Sequence, residues 1–277
     1  MAKHWLITGT SSGLGRGLVE RALARGDSVV ATLRKPGALN ELRAQYGDRL
    51  RVVDCELTDL DALRAMVAQA FDAFGRIDVV VSNAAYGLFG AAEELSDAQI
   101  DRQLATNLTA SIQLIRAVVP RLRAQGGGRI VQVSSEGGQI AYPGFSLYHA
   151  TKWGIEGFVE AVAKEVAPFG IDCVIVEPGP TRTNFGASLD RAEAMETYAA
   201  TPAGQVRKAI STGAVEGLFE YGDAGKTVDA MIRAIDLPTP PLRLPLGRSA
   251  YDSIRAALLD RLKVLEAQRD EALSVMP

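Results

Sequence analysis

The first residues of the chain place a glycine-rich turn between an apolar run and a helical pattern. The run 5–7 is entirely apolar, as expected for a buried parallel strand. Gly9, Gly13 and Gly15 follow it, and apolar residues then recur at helical spacing over 18–23. Glycines in such a turn let the backbone approach a ligand closely, and the start of the helix offers unpaired N–H groups to a pyrophosphate. The segment therefore predicts a strand, a phosphate-binding turn and a helix.

The remainder of the chain alternates short apolar runs with longer stretches of helical spacing. This alternation is typical of a doubly wound α/β fold, in which helices cover both faces of a parallel sheet. One domain of this class can hold all 277 residues, so we expect 1–277 to form a single domain with a Rossmann-type sheet of about seven strands. The predicted strands are 4–8, 28–33, 50–54, 77–82, 128–134, 171–177 and 242–246, and the predicted helices are 14–25, 59–74, 96–124 and 147–167.

Four of the predicted strands are followed directly by residues that suit a binding site. These residues are Gly9, Asn83, Ser135 and Pro178. The carboxyl ends of parallel strands lie along one edge of a sheet, where ligands bind at the point at which the strand order reverses. The sequence therefore predicts that all four residues meet at one site.

A tyrosine and a lysine, Tyr148 and Lys152, lie four residues apart in a stretch of helical spacing, thirteen residues after Ser135. Residues four apart are neighbours on one helix face. An adjacent ammonium group favours phenolate, so we expect the pKa of Tyr148 to lie below its ordinary value of about 10. Such a tyrosine exchanges a proton with a substrate, and a nearby serine hydroxyl holds a carbonyl oxygen. The three residues predict a site of proton transfer.

Together, these motifs resemble the short-chain dehydrogenase/reductase family, in its single-domain subgroup of carbonyl reductases and hydroxysteroid dehydrogenases. The resemblance covers about residues 3–183 in order. It implies that Asn107, Ser135, Tyr148 and Lys152 are catalytic, with Tyr148 as the acid and base and Asn107 positioning a water in a proton path to the lysine. The resemblance also implies a nicotinamide cofactor bound by Gly9, Ser11, Ser12, Gly13, Leu14, Gly15, Arg34, Glu56, Leu57, Asn83, Ala84, Tyr148, Lys152, Pro178, Gly179, Thr181 and Thr183.

The end of the second predicted strand indicates which nicotinamide cofactor is used. An acidic residue there accepts from the ribose 2′-hydroxyl of NAD, whereas an arginine accommodates the 2′-phosphate of NADP. Leu33 occupies the acidic position, and Arg34 and Lys35 follow it. We therefore expect NADP(H), with NAD as the less favoured cofactor. The chain departs from the family pattern at Glu56, where an aspartate usually contacts adenine, and at 82–85, which reads Ser-Asn-Ala-Ala instead of Asn-Asn-Ala-Gly.

Residues 184–220 follow the cofactor loop and are predicted to form a mobile helical lid over the substrate. Several glycines and a proline divide this segment into short pieces able to hinge. The ending 249–274 is predicted to form an amphipathic helix that packs on the body or on a partner subunit. An apolar, aromatic-lined pocket suits a hydrophobic ketone or alcohol. The further candidates for lining this pocket are Tyr86, Leu88, Phe89, Gln139, Tyr142 and Phe145.

Two functions from different classes are consistent with these motifs. The first is an NADP(H)-dependent oxidoreductase that interconverts a hydrophobic ketone and its secondary alcohol. The second is a regulatory protein that binds the cofactor on the same fold without turnover, since fold does not fix function. The intact set of Ser135, Tyr148 and Lys152 favours the enzyme. A sugar epimerase is disfavoured, because that subgroup usually carries a different glycine loop and a longer substrate domain.

Composition excludes several other classes. The net charge is −3 and no basic run is present, which argues against nucleic acid and anionic membranes as partners. The chain enters its first strand at once, without a signal peptide, and this predicts a cytoplasmic location. Cys55 and Cys173 are expected to be buried free thiols, and two histidines are too few for a metal site. The family resemblance implies a homodimer or a homotetramer.

Overall fold

The computed structural model describes residues 2–34, 37–212 and 220–277. Seven parallel strands form one sheet in the order β3-β2-β1-β4-β6-β7-β9. Because the order reverses between β1 and β4, the switch point lies beside the first glycine turn. The strands of this sheet are β1 (His4–Ile7), β2 (Ser28–Leu33), β3 (Leu50–Asp54), β4 (Val79–Ser82), β6 (Gly128–Val133), β7 (Ile171–Pro178) and β9 (Arg243–Leu246), and a separate pair is formed by β5 (Leu88–Phe89) and β8 (Asp190–Arg191).

Helices cover both faces of the sheet. Each connection between neighbouring parallel strands contains at least one helix, as a crossover requires. The helices of the described residues are α1 (Gly13–Ala24), α2 (Asn40–Tyr46), α3 (Leu60–Phe74), α4 (Asp97–Gln103), α5 (Ala110–Ala124), α6 (Ser146–Val166), α7 (Pro202–Thr212), α8 (Ala224–Asp236), α9 (Arg248–Ala267) and α10 (Arg269–Leu273).

Two apolar cores lie on opposite faces of the sheet. Successive side chains of β1 point to opposite sides, so Leu6 packs against α3, α5 and α6, whereas Trp5 and Ile7 pack against α1 and α8. All three side chains are fully buried. Cys55 and Cys173 are buried free thiols within the first of these cores. The near-continuous apolar strands of the sequence are therefore explained by burial on both faces.

The predicted doubly wound parallel sheet is confirmed, and each predicted strand ends within two residues of its position in the structure. The predicted helix 96–124 is interrupted by a π-helical turn at Leu104–Thr109. The small β5–β8 sheet and the helices α2 and α8 were not predicted, whereas α7 lies within the segment 184–220 that was predicted to be helical. No helix in the described part of the chain is long and apolar enough to cross a membrane.

Candidate active site

The glycine turn after β1 is held by the end of β4. The Asn83 Nδ2 group donates to the carbonyl oxygens of Thr8 at 2.9 Å and Gly9 at 3.1 Å. Gly9 has a φ of +68°, and a Cβ on it would lie only 2.7 Å from the Cα of Ala84. A side chain at Gly9 would therefore both strain the backbone and separate the turn from β4. The turn is a rigid element of the sheet edge, and Asn83 uses its side chain to hold it.

The start of α1 is open to a phosphate group. Ser11, Ser12 and Gly13 are exposed, and the Ser12 side chain makes no capping hydrogen bond to the helix. A Cβ at Gly15 would overlap the carbonyl oxygen of Gly9, so this glycine allows the helix to begin directly against the turn. Backbone N–H groups and the positive end of the helix dipole together form a site that suits a pyrophosphate.

The ends of β2 and β3 place one positive and one negative side chain side by side. Arg34 Nη1 lies 3.9 Å from Glu56 Oε2, and both side chains are largely exposed. Leu33 is 4% exposed and packs in the core, while Leu57 lies partly buried against the other core. Lys35 lies outside the described residues. Arg34 is therefore the exposed cation at the predicted 2′-phosphate position.

Ser135, Tyr148 and Lys152 come together between β6 and α6. Ser135 follows β6, its Oγ accepts from Gly137 N at 3.1 Å, and its side chain lowers the pKa of the neighbouring Tyr148. One turn along α6, Lys152 Nζ donates to the carbonyl oxygen of Val133 at 3.1 Å and lies 5.7 Å from the centroid of the Tyr148 ring. All three catalytic candidates are buried. The arrangement brings a hydroxyl, a phenol and an ammonium group into one cluster at the sheet edge.

Burial dominates the acid–base properties of this cluster. It raises the pKa of Tyr148 to about 12, and the Ser135 side chain opposes the increase. It also lowers the pKa of Lys152 to about 8, against the attraction of Glu156. The prediction of a Tyr148 pKa below 10 is therefore wrong in this structure, because the loss of water around the phenolate outweighs the opposing effect of Ser135. The phenol is protonated at neutral pH, as a proton donor must be.

Asn107 lies inside the π-helical turn that separates α4 from α5. Its side chain accepts from Tyr86 N at 3.1 Å and donates to Tyr86 O at 2.8 Å, with a weaker contact to Thr151 Oγ1 at 3.4 Å. π-Helical turns are rare and occur frequently at functional sites. Here the turn brings Asn107 against α6 at Thr151, which lies one helical turn from Tyr148. The sequence gives no sign of this turn, since its residues continue the helical spacing.

The loop after β7 reaches back to the glycine turn. Gly179 N donates to Leu246 O at 3.0 Å, and Thr181 Oγ1 donates to Gly179 O at 2.9 Å. A Cβ at Gly13 would lie 3.7 Å from Thr183 Cβ. Thr183 therefore stands beside the phosphate-binding turn, and the loop from Pro178 to Thr183 closes one side of the predicted cofactor cleft.

An aromatic cluster adjoins Tyr148 on the side away from the sheet. The Phe185 ring lies 5.8 Å from the Tyr148 ring and the Phe145 ring 6.3 Å from it, measured between centroids. Phe145 in turn contacts Phe89 at 5.2 Å and Tyr142 at 5.4 Å. Three predicted lining residues, together with Phe185 of the predicted lid, are thus brought together around Tyr148. A site of this composition favours a hydrophobic substrate.

Two polar residues near this cluster have structural roles. Gln139, a predicted pocket residue, donates from Nε2 to Glu177 Oε1 at 2.8 Å, so Glu177 holds its side chain. His149 accepts at Nε2 from Tyr142 N at 3.1 Å, so the neutral ring donates from Nδ1 to Gly137 O at 2.8 Å. His149 therefore connects α6 to the loop after Ser135. Neither of these two hydrogen bonds of His149 involves its neighbour Tyr148.

The described part of the predicted lid, 184–212, is fastened at several points. Its strand β8 pairs with β5, and the buried Glu94 side chain accepts from Met195 N at 2.9 Å and forms an ion pair with Arg207 of α7. A second ion pair joins Arg102 to Asp190. The segment contains a strand as well as helix, and residues 213–219 lie outside the described part of the chain. Its mobility stays a prediction.

Residues 3–194 match the family model described as short chain dehydrogenase. The chain belongs to the short-chain dehydrogenase family. It is accordingly a dehydrogenase or reductase that uses NAD or NADP. Oxidoreductase BOA17 of Botryotinia fuckeliana is 39% identical over 257 residues, which cover 91% of each chain.

Solved structures share this fold over nearly the whole chain. A short-chain dehydrogenase from Streptomyces avermitilis superposes with a TM-score of 0.91 at 37% identity, over 99% of this chain and 98% of that one. A short-chain dehydrogenase/reductase from Burkholderia phymatum, crystallised in complex with NAD, has a TM-score of 0.80 at 21% identity, over 96% and 95% of the two chains. The second likeness concerns the fold alone. The roles of individual residues in this family member stay predictions.

Proposed function

We propose that this short-chain dehydrogenase is an NADP(H)-dependent enzyme that interconverts a hydrophobic ketone and its secondary alcohol. The observation that carries the proposal is the buried cluster of Ser135, Tyr148 and Lys152. It stands at the carboxyl edge of the sheet, between the glycine turn and the aromatic rings. A proton donor, a hydrogen-bonding hydroxyl and a cation are the groups that carbonyl reduction requires.

The residues around the cleft fit a nicotinamide dinucleotide. Side chains would overlap the backbone at Gly9 and Gly15, and the start of α1 is open to a pyrophosphate. When bound, the cofactor supplies or accepts the hydride. NADP is favoured over NAD because Arg34 is the exposed cation at the end of β2, and no acidic residue stands at Leu33.

In the direction of reduction, Tyr148 donates its proton to the oxygen of the substrate as negative charge develops there. Ser135 donates a hydrogen bond to the same oxygen, a stabilisation worth roughly 3–4 kcal/mol in comparable sites. Lys152 provides a positive charge that stabilises the phenolate left on Tyr148. Alcohol oxidation follows the same steps in reverse. The high pKa of Tyr148 favours the phenol at neutral pH, which is the form that donates a proton in the direction of reduction.

The substrate is proposed to be a bulky, uncharged ketone. The rings of Phe89, Phe145 and Phe185 adjoin Tyr148 and offer apolar surface for it. Arg207, the described cation nearest to these rings, lies over Phe89 and is paired with the buried Glu94. Among the described residues, no unpaired cation therefore lies beside these rings to bind the carboxylate of a keto acid.

The test is the rate of cofactor oxidation, followed by absorbance, with a panel of carbonyl compounds. We expect kcat/KM for aryl and alicyclic ketones to exceed that for pyruvate-sized keto acids, and NADPH to be preferred to NADH. Preference for the acids would show that the aromatic cluster is only core. The absence of turnover with every carbonyl compound and alcohol tested, despite cofactor binding, would contradict the proposal.

The enzyme is also proposed to associate with a second copy of itself through α9 and α10. The side chains of Leu258, Leu262 and Leu265 are about half exposed or more and recur along one side of α9. Residues 255–263 carry three basic side chains and one acidic, whereas 264–273 carry three acidic and one basic. Two such helices packed antiparallel would bury their leucines and pair opposite charges.

A further inference from the structure

A buried polar cluster lies between α6 and the sheet, directly below the catalytic residues. Glu156 is 2% exposed and stands one helical turn beyond Lys152 on α6. Its carboxylate accepts from Ser134 Oγ and from Arg243 of β9. A Cβ at Gly138 would overlap the Glu156 carboxylate, so this glycine allows the carboxylate to lie against the turn that follows Ser135. The cluster therefore adjoins both the lysine and the serine of the site.

The charges of this cluster are unequal. The guanidinium of Arg243 is shared by Glu156, Glu177 and Glu160. Glu177 is fully buried, and its Oε2 has no hydrogen-bond partner among the described residues. The two buried carboxylates, Glu156 and Glu177, therefore share one cation, Arg243, which also contacts Glu160. Burying such a cluster carries a large desolvation cost.

We propose that Glu156 is a positioning residue for catalysis, which acts by keeping the Lys152 ammonium group charged. The inference rests on the proposed function. Lys152 is buried, and within the described part of the chain its Nζ donates to the carbonyl oxygen of Val133 and forms no ion pair. An anion one helical turn away compensates in part for the water that the ammonium has lost. Among the described residues, the charged and titratable groups around Glu156 are Lys152 and Tyr148 on its own helix, Glu177 on β7 and Arg243 on β9, which Glu160 of α6 also contacts. Ser134, after β6, donates to its carboxylate.

The acid–base properties of these groups agree with this role. Burial lowers the pKa of Lys152 to about 8, and the attraction of Glu156 opposes the decrease. Burial and the neighbouring Glu177 raise the pKa of Glu156 to about 7, although Ser134 and Arg243 favour its charged form. Lys152 and Glu156 are therefore charged together only in a narrow range around neutral pH. Loss of the negative charge would shift the deprotonation of Lys152 to lower pH.

The substitution Glu156→Gln removes the charge while keeping the shape of the side chain and its capacity to hydrogen-bond. The measurement is the pH profile of kcat/KM for ketone reduction between pH 6 and about 10. We expect the loss of activity on the alkaline side, where Lys152 deprotonates, to move to lower pH by about one unit. Glu160→Gln is the matched control, since Glu160 also contacts Arg243 but lies one further turn from Lys152 and is partly exposed. Its profile should match that of the unmodified enzyme.

Each outcome bears on the inference. If the alkaline limb of Glu156→Gln coincides with that of the unmodified enzyme, or if Glu160→Gln moves it equally, the role of Glu156 is wrong. Circular dichroism and the affinity for NADPH establish that each variant is folded. Should Glu156→Gln fail to fold, Arg243→Gln carries the test, because loss of the cation favours neutral Glu156 and should move the limb in the same direction. An unmodified enzyme without ketone turnover would instead contradict the proposed function, and the pH dependence of NADPH affinity in the variants would then test Glu156 alone.

Discussion

At the scale of single residues, Tyr148 determines whether the site performs chemistry. Its phenol is buried beside Ser135 and is protonated at neutral pH. The sequence correctly brings Tyr148, Lys152 and Ser135 together, but it predicts the wrong direction for the tyrosine pKa. The reason is that spacing reveals a neighbouring charge, whereas the loss of water around the phenol depends on everything that packs over it.

The substitution Tyr148→Phe is expected to reduce kcat while leaving NADPH affinity nearly unchanged. The ring keeps its packing against Phe145 and Phe185, and only the proton donor is lost. Removal of a general acid costs about 10²–10⁴-fold in rate, or roughly 3–5 kcal/mol of barrier. Stopped-flow or steady-state oxidation of NADPH measures the effect, with Tyr46→Phe on α2 as a distant control. Retention of more than about a tenth of kcat would contradict the role assigned to Tyr148.

The substitution Arg34→Gln is expected to weaken NADPH without weakening NADH. Loss of a charge-assisted hydrogen bond to the 2′-phosphate costs about 1.5–3 kcal/mol, or roughly 10- to 100-fold in KM for NADPH. Arg34 is the suitable position, because an acidic residue in place of the buried Leu33 would place a charge in the core. Arg64→Gln on α3 serves as a control. Equal loss with both cofactors would mean that Arg34 does not contact the 2′-phosphate.

At the scale of elements, the segment after β7 connects the cofactor loop to the substrate wall. Strand β8 places Phe185 and Leu189 beside Gly87, where a Cβ would lie 3.0 Å from the Phe185 ring. The buried Glu94 holds this segment through Met195 and Arg207. The sequence predicts a helical segment here. It misses β8 because a two-residue strand has too few residues to show a period.

The substitution Arg207→Gln is expected to loosen the lid. It leaves the carboxylate of Glu94 buried without its cation, which costs roughly 1–3 kcal/mol in the closed arrangement. We expect KM for a bulky ketone to rise about fivefold or more, with little change in NADPH affinity. Steady-state kinetics at saturating NADPH measures this effect, and Arg191→Gln in the same segment is the matched control. An unchanged KM together with an unchanged melting temperature would show that the ion pair does not hold the lid.

At the scale of the whole molecule, α9 and α10 present an apolar stripe that the body of the chain does not cover. The helix begins against the body, where Ile254 is buried and Arg261 lies over the ring of Trp153. After Ile254, the leucines of α9 are about half exposed or more. Most of the stability of a helix in a protein comes from packing of its apolar face, which supports a role for the stripe in association.

The double substitution Leu258→Gln and Leu262→Gln is expected to shift the enzyme toward a smaller assembly. Removing two apolar side chains from a buried interface costs about 1.5–3 kcal/mol for each one. Light scattering after size exclusion measures the mass across a range of concentrations. Ala256→Gln is the control, since it lies nearly opposite Leu258 around the helix. Dissociation in the control as well, or an unchanged mass in the double variant, would place the interface elsewhere.

The sequence by itself determined the parallel sheet, the glycine turn, the helix that carries Tyr148 and Lys152, and the edge where they meet. These features follow from local patterns, because periodicity and glycine position act through the nearest neighbours in the chain. The predicted site residues then come together, because parallel strands end along one edge of the sheet.

Only the tertiary structure decided the acid–base state of the site. Glu156 is visible in the sequence four residues after Lys152, yet nothing local shows that it is buried beside Arg243 and Glu177. The π-helical turn at Asn107 and the use of Gln139 and His149 as structural groups are likewise set by contacts between distant segments. Burial and hydrogen bonding depend on which elements pack together, and these long-range contacts shift the pKa values on which catalysis depends.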